Sequence, residues 1–282
     1  MKPQNILHKF DLTGKVAIVT GGPGLLGKEF CRTLAEAGAA VVVADINADA
    51  VNSFTRALIQ GGYHALGVAT DVTQPESVQA LVDETLSVFS RLDILVNSAA
   101  LDPKFDPQAL AEMAKSEAVS GAFEDYPLAS WQAAIDVNLT GLFLCCQAAV
   151  KPMLNRDKKG SIINICSTYG LVAPDQRIYQ RDGQQKSYKP IYYSVTKAGV
   201  LGLTRYLAAY YAGTEIRVNA LTPGGIFNDH DEVFLKAYSA RAVMGRMAKK
   251  DEMNGALLFL ASQASSYMTG SNLVVDGGWT AW

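Results

Sequence analysis

Short runs of β-branched apolar residues constrain this 282-residue chain more than any other feature. Val16-Ala17-Ile18-Val19 and Ala40-Val41-Val42-Val43-Ala44 are continuously apolar, with no polar residue at alternate positions. Strands of this kind are buried on both faces, which is typical of a parallel sheet covered by helices. Segments with helical spacing of apolar residues lie between the runs, so the sequence predicts an α/β fold with a doubly wound parallel sheet.

The alternation of strands and helices continues to the end of the chain. No shift in composition marks a linker, so we expect one domain over residues 1–282. Two segments rich in proline and glycine, 101–127 and 171–191, break the alternation of strands and helices. We interpret both as functional loop insertions. The predicted strands are 16–19, 40–44, 64–70, 94–97, 161–165, 216–221 and 272–275, and the predicted helices are 25–37, 48–60, 75–90, 131–154, 192–211 and 252–261.

Composition excludes several classes of function. The chain has 25 Lys+Arg against 27 Asp+Glu, a net charge of −2, so neither nucleic acid nor an anionic membrane is an expected partner. Its four cysteines lie in apolar runs without CxxC spacing, which predicts reduced core thiols and no metal site. The first residues are too polar for a signal peptide, and no apolar stretch reaches the ~20 residues that span a bilayer, so we expect a cytoplasmic protein.

A glycine-rich turn follows the first predicted strand. It reads Thr20-Gly21-Gly22-Pro23-Gly24-Leu25-Leu26-Gly27 and leads directly into the first predicted helix. Small residues there let the backbone approach a pyrophosphate, which the positive end of the helix dipole stabilises. A plain tight turn is the alternative interpretation of the same residues.

Asp45 favours dinucleotide binding as the interpretation of that turn. It stands at the end of the second predicted strand, 18 residues after Gly27. An acidic side chain at this place accepts hydrogen bonds from the ribose hydroxyls of NAD and repels the 2′-phosphate of NADP. No lysine or arginine stands beside it, which favours NAD, although Asp45 could instead cap the next helix.

Tyr193 and Lys197 are four residues apart in a predicted helix, so both side chains lie on one face. A nearby cation stabilises a phenolate and lowers the tyrosine pKa from ~10 toward the range of a general base. Tyr192 is the rival phenol, but it is five residues from Lys197. Without other motifs, the pair would be read as a chance pair on an amphipathic helix.

Taken together, the motifs resemble those of the short-chain dehydrogenase/reductase family, whose members have a Rossmann fold. The resemblance covers nearly the whole chain, from Thr13 to Gly278. Two positions depart from the family pattern, since Leu25 replaces the middle glycine of the turn and Ala100 replaces the last glycine of the fourth-strand motif. The ordered motifs are the turn at 20–27, Asp71-Val72, Asn97-Ser98-Ala99-Ala100, Asn138, Ser167, Tyr193-x-x-x-Lys197 and Pro223-Gly224.

The resemblance implies a role for each of these positions. Tyr193 would be the general acid/base, Ser167 would orient the substrate oxygen, with Thr168 a weaker candidate, and Asn138 would connect a proton relay to Lys197. Alternatives remain open, because Ser167 could cap a turn and Asn138 could be a satisfied core amide. The implied cofactor contacts, which also suit turns at strand ends, are Gly21, Gly24, Leu26, Gly27, Asp45, Asp71, Val72, Asn97, Ala99, Tyr193, Lys197, Pro223, Gly224 and Ile226.

The loop between Ser167 and Tyr193 is longer than the resemblance implies, 26 residues against the family's usual dozen or so. Residues 171–191 carry four basic and two acidic side chains. Arg177 and Arg181 could bind a carboxylate or phosphate. We therefore predict a substrate with an anionic group, such as a sugar acid or sugar phosphate, while a solvated loop packing on a neighbouring subunit is equally compatible.

The sequence thus predicts an NAD-dependent oxidoreductase, with NADP less favoured, that acts on the secondary alcohol or ketone of a sugar, polyol or sugar acid. It is similar to bacterial gluconate 5-dehydrogenase-like and flagellin-modification members. An NADPH-dependent 3-oxoacyl thioester reductase and a non-catalytic dinucleotide-binding sensor are the alternatives. We also expect a homo-oligomer, a tetramer by resemblance, with the apolar residues 279–282 at an interface unless both tryptophans pack on their own core.

Overall fold

The computed structural model describes residues 5–102 and 121–282. Most predicted strands and helices are found within one to three residues of their expected bounds. The strands are β1 Val16–Thr20, β2 Ala40–Asp45, β3 Ala65–Ala69, β4 Ile94–Asn97, β5 Lys159–Ile165, β6 Gln180–Arg181, β7 Gln184–Gln185, β8 Glu215–Pro223 and β9 Asn272–Val275. The helices are α1 Leu25–Glu36, α2 Ala48–Gln60, α3 Pro75–Phe89, α4 Leu128–Ile135, α5 Leu142–Arg156, α6 Ile191–Tyr210, α7 Glu232–Ser239 and α8 Asn254–Ala261.

Seven strands form one sheet in the order β3-β2-β1-β4-β5-β8-β9, and every pairing in it is parallel. The chain moves outward from β1 to β3 and then returns to place β4 on the other side of β1. This reversal makes the sheet doubly wound and opens a crevice at the carboxyl ends of β1 and β4. The predicted fold class is confirmed.

The core lies on both faces of the sheet because alternate residues of each strand point to opposite sides. On one face, Ile18 and Val42 pack with α3, α5 and α6. On the other, Ala17 and Val43 pack with α1, α2 and α8. Burial on two faces is the physical reason for the continuous apolar runs.

The long helix predicted at 131–154 is observed with an interruption. Asp136–Gly141 forms a turn of π-helix between α4 and α5, and it contains Asn138. By length and composition alone, the stretch Leu128–Arg156 could cross a membrane, but half of its most apolar window is buried inside the protein. Ala149 and Met153 belong to the core, which is the position expected of a central helix in this fold.

Of the two predicted insertions, the structure describes only the second in full. Most of the 101–127 segment lies outside the described residues. The 171–191 segment has a 3-10 turn at Gln176–Tyr179 and the short antiparallel pair β6–β7. Helix α7 was missed by the sequence analysis and packs near this loop, so these elements build a wall over the carboxyl edge of the sheet.

The C-terminal tryptophans separate. Trp279 is 7% exposed and stacks on Tyr238 with ring centroids 4.1 Å apart. Trp282 is 81% exposed, and its indole N–H donates to the carbonyl of Arg241. Trp279 therefore packs on the chain's own core, as the alternative interpretation allowed. Of the two C-terminal tryptophans, Trp282 is the one exposed enough to contact another molecule.

Candidate active site

The polar residues singled out in the sequence converge at the carboxyl edge of the sheet. Ser167 follows β5, while Tyr193 and Lys197 lie on the first turns of α6. Asn138 reaches the same region from the π-helical turn. Three segments far apart in the chain thus supply one group of four side chains.

Ser167 and Tyr193 are in direct contact. The Ser167 hydroxyl accepts a hydrogen bond from the backbone N–H of Tyr169 at 3.2 Å, so it caps the short turn Thr168–Gly170 as one reading of the sequence allowed. It also hydrogen-bonds the Tyr193 phenol, which lowers the tyrosine pKa. Burial acts more strongly and, together with the negative charge of Asp102, raises the pKa of Tyr193 above its ordinary value. A phenol in such surroundings needs a cation to become a base near neutral pH.

Lys197 supplies one such cation. Its ammonium lies 5.8 Å from the centre of the Tyr193 ring and donates to the carbonyl of Ile165 at 2.9 Å. Burial lowers the pKa of Lys197. Tyr192, the rival phenol, is buried against Tyr126, with the ring centres 6.0 Å apart.

Asn138 holds the loop that follows β4. Its side-chain oxygen accepts from the N–H of Leu101 at 2.6 Å, and its amide donates to the carbonyl of Leu101 at 3.1 Å. The amide group also lies 3.4 Å from the hydroxyl of Thr196, next to Lys197. Asn138 is therefore a satisfied buried amide that also connects the β4 loop to α6.

The glycine-rich turn fits a dinucleotide pyrophosphate. A Cβ on Gly27 would lie 2.0 Å from the carbonyl oxygen of Gly21, so only glycine lets α1 start this close to the turn. Gly21 has φ +66 and approaches the backbone of Ala99, where a Cβ would meet atoms at 2.9 Å. Helix α1 has no side-chain cap at Gly24, which leaves its first N–H groups available to an anion. Leu25 is the first residue of α1, and Leu26 packs partly buried against the core.

Acidic side chains stand at or just after the ends of β2 and β3, on the same carboxyl edge of the sheet as the glycine-rich turn. Asp45 accepts from the N–H of Asn47 at 2.9 Å, whereas Asn47 itself caps α2, so the interpretation of Asp45 as the helix cap is wrong. Asp71 accepts from both the N–H and the hydroxyl of Thr73. Val72 is buried, and a Cβ on Gly141 would lie 2.8 Å from its side chain. These residues border the crevice on the β2 side.

Asn97 points into the protein. Its amide donates to the oxygen of Asn164 at 2.9 Å and to the sulfur of Cys146 at 3.2 Å. Within the described part of the chain, its buried oxygen has no hydrogen-bond partner. Ala99 instead lies at the surface of the crevice, where its N–H contacts the hydroxyl of Thr20 at 3.2 Å.

Residues after β8 form the opposite border. The N–H of Gly224 donates to the carbonyl of Val275 at 2.9 Å, and a Cβ on Gly224 would lie 2.7 Å from the backbone of Asp276. Pro223 ends β8, and Ile226 forms an isolated bridge with Ala248. The predicted cofactor contacts outside α6 thus lie at the carboxyl edge of the sheet or at the start of α1, and the side chain of Asn97 points inward.

The two arginines predicted at the substrate are paired with carboxylates of their own chain. Arg177 is 75% exposed and binds Asp175 at 2.8 Å. Arg181 binds Asp231 at 2.6 Å, and Asp231 also caps α7. The structure therefore places both guanidinium groups in ion pairs that order the loop, and it does not place them on Tyr193.

A different lysine of the same loop does reach Tyr193. The ammonium of Lys189 lies 3.8 Å from the centre of the Tyr193 ring and forms an ion pair with Asp102 at 3.0 Å. Sequence reasoning counted Lys189 only as part of the loop charge. Lys189 precedes Pro190 and the first residue of α6, so helical spacing does not link it to Tyr193, and only the folded loop brings the two together.

Aromatic side chains enclose the space beside Tyr193. Tyr169 meets the Tyr193 ring edge-on at 6.5 Å and the Trp279 ring at 6.4 Å. Tyr179 and Tyr238 belong to the same apolar cluster, which joins the 171–191 loop, α7 and the C-terminus. No spacing in the sequence predicts this wall, which offers a carbon skeleton an apolar surface next to a phenol able to exchange a proton.

Comparison with known proteins agrees with this geometry. A family model described as enoyl-(acyl carrier protein) reductase matches residues 25–280. The chain is 38% identical over 273 residues to cis-4-hydroxycyclohexanecarboxylate dehydrogenase of Sinomonas cyclohexanicum, covering 95% of this chain and 97% of that protein. It is 34% identical over 278 residues to D-threitol dehydrogenase of Mycolicibacterium smegmatis, covering 96% and 95%.

Solved structures give the same result. A gluconate 5-dehydrogenase from Burkholderia cenocepacia, in complex with NADP and tartrate, is 31% identical and superposes with a TM-score of 0.84 over 99% of this chain and 100% of that one. A short-chain type dehydrogenase/reductase from Mycobacterium marinum is 33% identical, with the same TM-score and coverage. The chain belongs to the short-chain dehydrogenase/reductase family, whose members bind a nicotinamide dinucleotide, and it is an oxidoreductase that acts on CH–OH groups.

Proposed function

We propose that this enzyme is an NAD-dependent dehydrogenase of a secondary alcohol carried by a polyol, a sugar or sugar acid, or a small ring. The observation that carries the proposal is the Tyr193 phenol, hydrogen-bonded by Ser167 and flanked by Lys197. A phenol bonded to a hydroxyl, with an ammonium nearby, supplies the groups needed to remove the proton of an alcohol as its carbon loses hydride.

In the proposed mechanism, Ser167 donates a hydrogen bond to the substrate oxygen and fixes it against Tyr193. Tyr193 takes the hydroxyl proton during oxidation and returns it during reduction, while Lys197 stabilises the phenolate. Asn138 keeps the β4 loop in place through Leu101. When bound, the nicotinamide accepts or supplies the hydride. Its phosphates would be held by the turn at Gly21, Gly24 and Gly27.

Asp45 supports NAD as the cofactor. It stands at the end of β2, and the neighbouring residues Ala44, Ile46 and Asn47 carry no positive charge. A 2′-phosphate placed there would face a carboxylate. The neighbour from Burkholderia cenocepacia holds NADP, so the choice of cofactor is a matter for measurement.

Replacing Asp45 is expected to weaken NAD more than NADP. Asp45→Ala removes the acceptor of the ribose hydroxyls, and losing a hydrogen bond to a charged group costs about 1.5–3 kcal/mol, roughly 10- to 100-fold in the KM for NAD. The KM for NADP should stay the same or fall. Steady-state kinetics with both cofactors measure this, with Asp49→Ala, an exposed acid in the first turn of α2, as the matched control. Equal weakening of both cofactors would contradict the assignment.

The aromatic wall supports a substrate with a compact carbon skeleton. Relatives act on a hydroxylated cyclohexane carboxylate and on a four-carbon polyol, as their names state. An anionic group on the substrate remains part of the proposal through the basic 171–191 loop. Such a group would have to compete with Asp175 for Arg177 and with Asp231 for Arg181.

The test of the proposed function is the absorbance of reduced nicotinamide when purified protein meets NAD or NADP and a panel of alcohols. The panel pairs neutral with anionic compounds, such as a polyol with its aldonic acid and a cyclohexanol with its hydroxycyclohexane carboxylate. Turnover with NAD on one of these classes supports the proposal. Turnover only on a 3-oxoacyl thioester with NADPH would overturn it.

We also propose a cytoplasmic homo-oligomer, a tetramer in line with the family resemblance. Exposed apolar side chains on α5 and α6, namely Phe143, Tyr206 and Tyr210, support an association surface. Light scattering after size-exclusion chromatography measures the assembly, and a monomer at micromolar concentration would contradict it.

A further inference from the structure

Two charged side chains outside the four expected catalytic residues lie at the Tyr193 ring. The Lys189 ammonium is 3.8 Å from the ring centre, closer than the 5.8 Å of Lys197. Asp102 binds that ammonium with both carboxylate oxygens, at 3.0 and 3.1 Å. The exposed fractions of the two side chains are only 13% and 26%, so solvent screens the pair far less than a surface ion pair.

Side chains outside the pair hold the backbone at or next to each of its members. Gln176 accepts from the N–H of Lys189 at 2.8 Å and donates to its carbonyl at 3.1 Å. On the other side, Asn138 fixes the backbone of Leu101, the residue before Asp102. Lys189 is therefore part of a built arrangement, unlike Lys186 of the same loop, which is exposed and hydrogen-bonds Gln184.

The two charges act on Tyr193 in opposite directions. A cation over the ring stabilises the phenolate, whereas a carboxylate nearby destabilises it. Burial raises the pKa of Tyr193, and the negative charge of Asp102 raises it further. Among the described residues, the titratable and charged groups around the phenol are Lys189, Lys197, Asp102, Cys166, Tyr169 and Tyr179.

We propose that Lys189 and Asp102 together set the proton affinity of Tyr193, with Lys189 as a positioning residue that favours the phenolate and Asp102 as the counter-charge that limits its effect. This inference rests on the proposed function, in which Tyr193 is the general acid/base. It adds to Lys197 a second cation, which enters from the 171–191 loop. That loop thereby tunes the proton transfer in addition to shaping the substrate space.

Single substitutions of the pair should shift the pH profile in opposite directions. During oxidation Tyr193 works as the phenolate, so kcat/KM rises with pH through its pKa. Lys189→Met removes the cation that faces Asp102 and should move this rising part of the profile to higher pH by about 1 unit. Asp102→Asn removes the counter-charge of Lys189 and should move it down by about as much. The double variant should return close to the wild-type profile.

The assay uses the alcohol of the panel that the wild-type enzyme oxidises fastest. Lys186→Met, on the same loop, serves as the control and should leave the profile unchanged. Lys189→Arg keeps the charge, so its kcat/KM should rise at the same pH as in the wild type. This variant separates the effect of the charge from that of side-chain packing. The inference would be overturned if the rise of kcat/KM with pH stays in place in both single variants, or if it moves in the same direction in both.

A second measurement does not depend on turnover. The phenolate absorbance of each variant is titrated with alkali and compared with the same variant carrying Tyr193→Phe, so the difference reports Tyr193 alone. The order of midpoints should be Asp102→Asn below wild type and Lys189→Met above it. If no alcohol in the panel is oxidised but the midpoints follow this order, the proposed function fails while the electrostatic role of the pair stands. If turnover is present and the midpoints coincide, the inference alone fails.

Discussion

Tyr193→Phe is expected to lower kcat for alcohol oxidation by about 10³-fold, within the 10²–10⁴ range that a positioned acid/base contributes. The substitution removes only the hydroxyl that contacts Ser167 and leaves the ring against Lys189 and Tyr169. Cofactor affinity, measured by the quenching of tryptophan fluorescence, should change little. Steady-state kinetics at saturating cofactor measure the loss.

Tyr192→Phe is the matched control for this experiment. Tyr192 is the neighbouring phenol, buried against Tyr126, and its hydroxyl has no part in the proposed proton transfer. Its kcat should stay within about threefold of wild type, far from the 10²-fold minimum for an acid/base. Comparable losses in the two variants would show that the damage is structural, and full activity of Tyr193→Phe would remove Tyr193 from the mechanism.

Gly27→Ala is expected to damage both the fold and the cofactor site. The added methyl would lie 2.0 Å from the carbonyl oxygen of Gly21 and 2.8 Å from that of Gly22. Both neighbours are backbone atoms, so the turn and the start of α1 must move apart. Overpacking of this kind costs about 2–3 kcal/mol of unfolding free energy. Because the displaced turn would hold the pyrophosphate in the proposed function, cofactor affinity should fall by about tenfold or more, as expected when a positioned phosphate contact is lost.

Denaturant unfolding and fluorescence titration with NAD measure the two effects of Gly27→Ala. Gly202→Ala is the control, since a Cβ on Gly202 meets nothing within 4 Å in the middle of α6. Alanine there should stabilise the protein by up to about 1 kcal/mol through helix propensity. If Gly27→Ala unfolds at the same denaturant concentration as wild type and binds NAD equally well, the close approach of Gly27 to Gly21 is not required.

Several features of the active site could be predicted because their signal is local. The apolar run of β1 followed by glycine and α1 predicts a phosphate-binding turn, and the prediction for Asp45 follows from its place at the end of β2. The spacing of Tyr193 and Lys197 needs only the geometry of one helix. The roles of these residues stay proposals until the variants above are measured.

Other features were missed because they depend on contacts between distant segments. Lys189 and Asp102 are 87 residues apart, and no periodicity links them. The positive charge of the loop predicts Arg177 and Arg181 as ligands of an anionic substrate. Their carboxylate partners Asp175 and Asp231 are known only from the folded chain.

The sequence by itself determined the layered α/β fold, since continuous apolar strands have no stable alternative to burial under helices on both faces. It also determined which residue types stand at the strand ends. Only the tertiary structure decided which of them meet: that Asn97 turns inward to Asn164, that four segments build the aromatic wall, and that Lys189 lies on Tyr193. The physical reason is that strand and helix patterns are set by neighbours along the chain, whereas loop side chains are positioned by packing and charge partners that folding brings together.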